Sequence, residues 1–164
     1  MWRITVATLL LGTSLLAHAQ QPPPQEVRVQ WQLQVMLDGQ QTDSFDGTTA
    51  VGLTRTDTHH HTVVHDVGCK NQPGGSIDLA RTVSVSPLNA GPNGVMFAID
   101  AQETLEDPAS VRQTPEGCKL PPQPRQVNAS HPGLLVPPDQ WTTWQIVDKN
   151  PNLVYRVHAK VVSP

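Results

Sequence analysis

Histidines form the densest group of metal-binding side chains in this sequence. His59, His60, His61 and His65 all lie in the segment THHHTVVHD, residues 58–66. On a β-strand, side chains two residues apart project from the same face and stand about 7 Å apart. His59 and His61 are therefore spaced to bind one metal ion, with His65 on the same face. Because imidazole nitrogen suits copper, zinc and nickel, the segment predicts a transition-metal site formed by His59, His61 and His65.

The same histidines also fit two other interpretations. A solvated strand face is one of them, because histidine-rich tracts bind metal ions adventitiously without being evolved sites. A pH-sensitive cluster is the other, since neighbouring imidazoles repel one another once they are protonated near about pH 6. The sequence leaves these alternatives open.

Three aromatic residues in the C-terminal part of the chain form a second group of possible binding side chains. Trp141, Trp144 and Tyr155 are of types that are enriched in protein interfaces. Residues an odd number apart on a strand project from opposite faces, so at most one of the two tryptophans belongs in the core. We expect Trp141, Trp144 and Tyr155 to contribute to a partner-binding surface, whereas Trp31 is expected in the core.

No catalytic signature of high specificity occurs in the sequence. It contains no Gly-x-Ser-x-Gly elbow, no His-Glu-x-x-His zinc helix and no glycine-rich phosphate loop. The acidic residues Asp100, Glu103, Glu106 and Asp107 lie near prolines and are expected to be solvated charge. We therefore expect a non-enzymatic protein without a cofactor, with a copper, zinc or nickel ion as the alternative.

The N-terminal segment is typical of an export signal. Residues 1–19 contain one positive residue, Arg3, followed by an apolar run that ends in Ala17-His18-Ala19, where small residues suit signal peptidase. The run is too short to span a membrane, and no later stretch is long or apolar enough. Residues 20–25 (QQPPPQ) predict an extended leader. These features indicate a periplasmic or secreted protein, bacterial rather than eukaryotic.

Cysteine use and charge limit the possible partners and the compartment. Cys69 and Cys118 are the only two cysteines, and an even count in an exported chain predicts a disulfide. Closing a loop of about 50 residues would stabilise the fold by up to about 4 kcal/mol. The formal net charge is −3 and no basic stripe occurs, so nucleic acid is excluded as a partner.

Residues 26–164 are expected to form a single all-β domain. Residues 26–37 (EVRVQWQLQVML) alternate apolar and polar side chains without a break, as does the segment 153–162, and a two-residue period predicts half-buried strands. No segment has a sustained helical period. Seven or eight short strands bounded by turns predict an antiparallel β-sandwich, immunoglobulin-like in first place, with a small barrel or a jelly roll as alternatives.

Local signals give finer predictions about turns. A three-residue hairpin loop, Asp38–Gln40, would place Phe45 opposite Leu33 in the core, which suits a phenylalanine. Asp46-Gly47 predicts a second turn. Residues 120–138 contain six prolines and predict a long surface connection.

These expectations favour a protein whose function is binding. We expect an exported, non-enzymatic β-sandwich that binds another envelope or secreted protein, with the first strand as a possible edge that pairs with the partner. The alternative is a periplasmic protein that binds a transition metal through His59, His61 and His65.

Overall fold

A computed structural model of the chain describes residues 26–66, 75–107, 110 and 112–162. The predicted signal peptide, the proline-rich leader and Cys69 lie outside these residues. The predicted disulfide to Cys118, which is buried, therefore stays a prediction.

Two antiparallel sheets of four strands each make up the described part of the chain, which contains no α-helix. None of the described residues form a helix long and apolar enough to cross a membrane. The strands are β1 (Arg28–Leu37), β2 (Gln40–Ala50), β3 (Arg55–His65), β4 (Gly75–Gly91), β5 (Gly94–Asp107), β6 (Gln123–Val136), β7 (Thr142–Val147) and β8 (Leu153–Val162). The prediction of an all-β, sandwich-like architecture is confirmed.

The strand order is that of an up-and-down meander. One sheet has the order β2-β1-β8-β7 and the other β3-β4-β5-β6, so neighbours are consecutive in the chain except for the pair β1 and β8. In an immunoglobulin-like sandwich, Greek-key connections place strands distant in sequence beside each other. The immunoglobulin-like arrangement is therefore not confirmed, because alternation determines which face of a strand is buried but not which strands are neighbours.

Strand β1 lies in the interior of its sheet. It pairs with β2 on one side and with β8 on the other, where Arg28 lies opposite Val162 and Leu37 opposite Leu153. The predicted alternation is confirmed by buried side chains at every second residue of β1. The prediction that β1 is a free edge is wrong, because alternation carries no information on whether the two sides of a strand are paired.

The core fills the space between the two sheets. One sheet contributes Val29, Trp31, Leu33, Val35, Phe45, Leu153, Tyr155, Val157 and Ala159, and the other contributes Val83, Val85, Val95, Phe97, Ile99, Ala101, Leu105, Leu134 and Val136. Both inner faces are therefore covered by the opposite sheet, as in a β-sandwich.

The first hairpin has the predicted register, but its turn differs from the predicted one. Phe45 lies opposite Leu33 and is 2% exposed, as predicted. The loop is not the three residues Asp38–Gln40 but the pair Asp38-Gly39, whose φ angles of 47° and 82° are typical of a type I′ turn. A bulge at Thr42, which the ladder skips, supplies the extra residue.

Gly47 lies inside β2 and not in the predicted turn at Asp46-Gly47. It is opposite Trp31 in the ladder, and a Cβ atom there would be 2.9 Å from the Trp31 ring and 2.8 Å from Arg55. The glycine thus gives the indole room to lie across the strand. The turn that ends β2 follows at Val51-Gly52 instead.

Strand β6 replaces most of the connection predicted for residues 120–138. It spans Gln123–Val136 and pairs with β5 along its length. Proline is tolerated in a sheet on an edge strand or at an irregularity, and β6 is an edge. Pro124 lies near the start of the strand, and Pro132 lies where the register with β5 shifts. The prolines therefore mark an edge strand and not a connection.

Candidate functional site

A cleft of about 1020 Å³ opens at the end of the two sheets where the β1–β2 and β7–β8 turns lie. It exists because one ladder stops early. Pairing between β4 and β5 ends at Arg81 and Glu103, whereas β3 stays paired with β4 as far as Gly75 and β5 with β6 as far as Asp107. The two strand pairs therefore part beyond Arg81 and Glu103, and the cleft lies between them.

The cleft passes through the sheet and reaches the interior. Leu79 and Leu105 lie on the core face by alternation, whereas Ala80 and Thr104 lie on the outer face. Residues of both faces line the cleft. The described residues that line it are Leu37, Asp38, Thr42, Asp43, His59, His60, His61, Val63, His65, Leu79, Ala80, Arg81, Glu103, Thr104, Leu105, Glu106, Pro122, Asn150 and Pro151.

A buried ion pair forms the floor of the cleft. Arg81 Nε donates to both carboxylate oxygens of Glu103, at 2.7 and 2.8 Å. The hydroxyl of Tyr155, from the opposite sheet, donates to the same carboxylate. Glu103 is 2% exposed and Tyr155 is completely buried. The charge of Glu103 is thus compensated and hydrogen-bonded, as a buried carboxylate requires.

Asp43 extends this network toward the surface. Arg81 Nη1 donates to Asp43 Oδ2 at 2.9 Å, and His59 Nδ1 lies 3.0 Å from Asp43 Oδ1. The His59 ring also stacks on Phe45, with 4.1 Å between ring centroids. Asp43 and Phe45 belong to β2, whereas His59 on β3 and Arg81 on β4 belong to the second sheet. These contacts therefore connect the two sheets across the gap between β2 and β3.

The packing determines the ionisation of three groups. Burial and the charge of Glu103 raise the pKa of Tyr155 above its ordinary value of 10.0, so its hydroxyl remains a donor. Burial acts to lower the pKa of Arg81, but the hydrogen bonds and charge of Glu103 outweigh it and raise this pKa above its ordinary value. Burial acts to raise the pKa of Asp43, but hydrogen bonds from His59 and Arg81 outweigh it and lower this pKa below 3.8.

Asp43 is expected to make stability depend on pH in the acidic range. Its folded pKa lies below the unfolded value of 3.8, so the carboxylate stabilises the fold above that value, and this contribution is lost as the pH falls through the folded pKa. The difference in free energy of unfolding between wild type and Asp43→Asn should therefore shrink as the pH is lowered below 3.8, measured by urea denaturation. A difference that grows on acidification would contradict the assignment.

An NMR titration provides a direct check on the same residue. The Asp43 carboxyl should titrate below 3.8 in the wild type. In His59→Phe it should titrate at a higher pH, because one of the hydrogen bonds that favour the ionised form is removed.

The histidines predicted as metal ligands all line the cleft but do not converge. His59 pairs with Asp43, and His65 Nε2 on β3 pairs with Glu106 on β5, across the mouth of the cleft. His61 has no hydrogen bond to another residue of the described chain. Within the described ranges, no three His, Cys, Asp or Glu side chains lie close enough to hold a metal ion. The metal site stays a prediction.

The three aromatic residues predicted for partner binding do not share a surface. Tyr155 belongs to the core, because its position in the alternation of β8 faces inward. Trp144 is half-buried and packs edge-on against Tyr155, with 5.7 Å between ring centroids. Trp141 lies instead beside Arg156 and His158, the guanidinium of Arg156 being 5.1 Å from its ring centroid. A partner-binding role of Trp141 and Trp144 stays a prediction.

Sequence reasoning missed the two residues at the centre of the floor. Glu103 was expected to be solvated, and that expectation is wrong. A signal was present, because Glu103 continues the inward alternation of Ile99, Ala101 and Leu105 along β5. Arg81 continues the inward alternation of β4 in the same way. A pair of opposite charges at inward positions of two candidate hairpin strands could have indicated a buried ion pair.

Comparisons with known proteins give no role that could be transferred to the cleft. Comparison of the chain with models of protein families, with curated proteins and with solved structures finds no match. The geometry and chemistry of the cleft are therefore the basis for a functional assignment.

Proposed function

We propose that the protein is an exported, non-enzymatic binding protein, and that the cleft holds a segment of another envelope or secreted protein. The observation that carries this proposal is the cleft itself. Its volume of about 1020 Å³ lies at the upper end of the range of ligand pockets, about 300–1000 Å³. Its described lining combines polar and charged residues, several of which converge at the floor, with apolar residues that a partner side chain can contact. The apolar residues are Leu37, Val63, Leu79, Ala80, Leu105, Pro122 and Pro151.

The polar groups of the floor support binding and not catalysis. Both oxygens of Glu103 accept hydrogen bonds from Arg81, and one also accepts from Tyr155. Arg81 is held by Glu103 and by Asp43. A general acid or base must be able to exchange a proton with a substrate, and groups so fully engaged with one another are better suited to holding the walls in place.

Export is supported by the signal-like residues 1–19. In a periplasmic or extracellular compartment, cysteines form and keep disulfides. We therefore include in the proposal a disulfide between Cys69 and Cys118.

Site-specific photo-cross-linking tests the partner-binding role. A benzophenone amino acid at Val63, which lines the cleft, should form an adduct with an envelope or secreted protein in the cells that produce the chain. The matched control is the next residue, Val64, which is 71% exposed and projects from the opposite side of β3. Adducts at both positions, or at neither, would contradict binding in the cleft.

A larger side chain inside the cleft should weaken binding of the partner that cross-linking identifies. Leu79→Trp places a larger side chain in the cleft and is expected to reduce affinity by about ten-fold or more, because a partner side chain loses its space. Leu53→Trp is the control, since Leu53 is 57% exposed and does not line the cleft. Unchanged thermal unfolding of both variants would show that the fold is retained.

A metal-binding function is the second candidate. It is favoured by the position of His59, His61 and His65 on the lining of one cleft. Calorimetric titration with Cu(II), Zn(II) and Ni(II) should show one-to-one binding that is lost in a His59→Ala/His61→Ala double variant and kept in His131→Ala, whose ring contacts Trp144 outside the cleft. Weak, multi-site binding that survives the double variant would refute this candidate.

A further inference from the structure

Two stretches of strand, one in β4 and one in β5, border the cleft. Residues 75–80 of β4 remain paired with β3, and residues 104–107 of β5 remain paired with β6. Neither stretch is paired with the other. In a strand, alternate residues direct their N–H and C=O groups to opposite sides, so both stretches direct backbone donors and acceptors toward the opening.

Two prolines that precede β6, Pro121 and Pro122, lie beside this opening. A Cβ atom on Gly75 would lie 2.5 Å from Cγ of Pro121, so Pro121 rests on the glycine at the start of β4. Pro122 lines the cleft. Proline has no backbone N–H, so neither residue can donate a hydrogen bond to the free side of β4 or β5.

The charges of the cleft favour a positively charged occupant. Asp38, Asp43, Glu103 and Glu106 contribute carboxylates to the lining. Among the described lining residues, Arg81 is the single side chain with a permanent positive charge, and it already pairs with Glu103 and Asp43. A low-dielectric site lined mainly by one sign of charge attracts groups of the opposite sign.

We infer that the occupant of the cleft is an extended segment of the partner protein that carries lysine or arginine, inserted between β4 and β5 as an additional strand. This inference rests on the proposed function. Added strands bind through main-chain hydrogen bonds, and pockets for alternate side chains provide specificity. The shorter stretch along the cleft, residues 104–106, has a length of about 10 Å at about 3.3 Å per residue.

The inserted strand would run antiparallel to one neighbour and parallel to the other, because β4 and β5 are antiparallel. Side chains on its inner side would meet Leu79 and Leu105. A basic side chain would reach the carboxylates at the mouth, where Glu106 and Asp38 lie. The hydrogen bond between His65 Nε2 and Glu106 spans the same mouth, so a basic side chain would compete with His65 for the Glu106 carboxylate.

Selected peptides can test this inference before the natural partner is known. A phage-displayed library of random octapeptides is panned on the mature, tag-free protein, and enriched peptides are synthesised and titrated by calorimetry. We expect enrichment of lysine or arginine among β-branched residues. Methylating single backbone nitrogens of such a peptide should weaken binding by about ten-fold at alternating positions, where the N–H is used. Hydrogen exchange should show protection of amides in residues 75–80 and 104–107 on peptide binding.

Two matched variants test the charge requirement. Glu106→Gln keeps the size of the side chain but removes its charge, and should weaken binding of the basic peptide by about ten-fold. Asp100→Asn makes the same change on the exposed outer face of β5, away from the cleft, and should leave affinity unchanged.

The experiments distinguish a failure of this inference from a failure of the proposed function. Peptides that bind with no sensitivity to backbone methylation and no protection of the two stretches would overturn strand insertion and leave the proposed function standing. Selected peptides without basic residues would overturn the charge requirement. A library that yields no binder, together with no cross-link at Val63, would overturn both the inference and the proposed function.

Discussion

Replacing Glu103 with alanine is expected to lower the free energy of unfolding by about 3–5 kcal/mol, the cost typical of removing one partner of a buried ion pair. Glu103 is 2% exposed and accepts hydrogen bonds from Arg81 and Tyr155. Its removal leaves the guanidinium with a single carboxylate partner and the hydroxyl without the acceptor that it has in the core. The substitution also leaves a cavity between the sheets, which adds to the cost.

Urea denaturation measures this loss of free energy, provided that the slope of the free energy of unfolding against urea concentration is the same in both proteins. Asp100→Ala is the matched control on the exposed face of the same strand and should change the free energy of unfolding by less than about 0.5 kcal/mol. If Glu103→Ala does not fold, Tyr155→Phe removes only one hydrogen bond and should cost about 1–3 kcal/mol. Losses below about 0.5 kcal/mol in both Glu103→Ala and Tyr155→Phe would show that the network does not stabilise the fold.

Gly94→Ala is expected to cost about 2–5 kcal/mol, through backbone strain and a steric clash. Gly94 begins β5 with a φ of +123°, a conformation that side chains with a Cβ rarely adopt. An added Cβ would lie 2.1 Å from the carbonyl oxygen of Val136, the last residue of β6. Since that oxygen belongs to the backbone, relief requires movement of the strand end and not merely rotation of a side chain.

The partner glycine across the same hairpin is the control. Gly91 lies opposite Gly94, and a Cβ on Gly91 meets no atom within 4 Å. Gly91→Ala should therefore be neutral, or stabilising by up to about 1 kcal/mol through the reduced freedom of the unfolded chain. Equal effects of the two substitutions in thermal or urea unfolding would contradict the steric argument.

Alternation predicted strand faces well and strand neighbours poorly. Strand β8, which alternates as fully as β1, spans residues 153–162 as predicted, because a two-residue period sustained over that length is typical of a strand. The order of strands could not be predicted, because it depends on contacts between residues far apart in the chain. Strand β6 was missed because its prolines were interpreted by their local effect, which an edge position tolerates.

The candidate site shows a similar division between local and distant information. The histidine cluster was recognised from spacing alone, and its three predicted ligands do share one cleft. The cleft itself could not be predicted, since it depends on the position at which the ladder between β4 and β5 ends. Asp43 was not recognised either, because its partners His59 and Arg81 lie on other strands. Such pairs are defined by the folded arrangement and not by spacing.

The start of β1 and the end of β8 lie side by side, because Arg28 pairs with Val162. These two residues are neighbours, and they lie at the opposite end of β1 and β8 from Leu37 and Leu153, next to which the cleft opens. The two attachment points, Arg28 and Val162, therefore lie at the end of the domain away from the cleft. A tether, an affinity tag or a surface coupling at either end would hold the domain with its cleft directed outward, and a short linker between the two ends would give a circularly permuted chain with the cleft unobstructed.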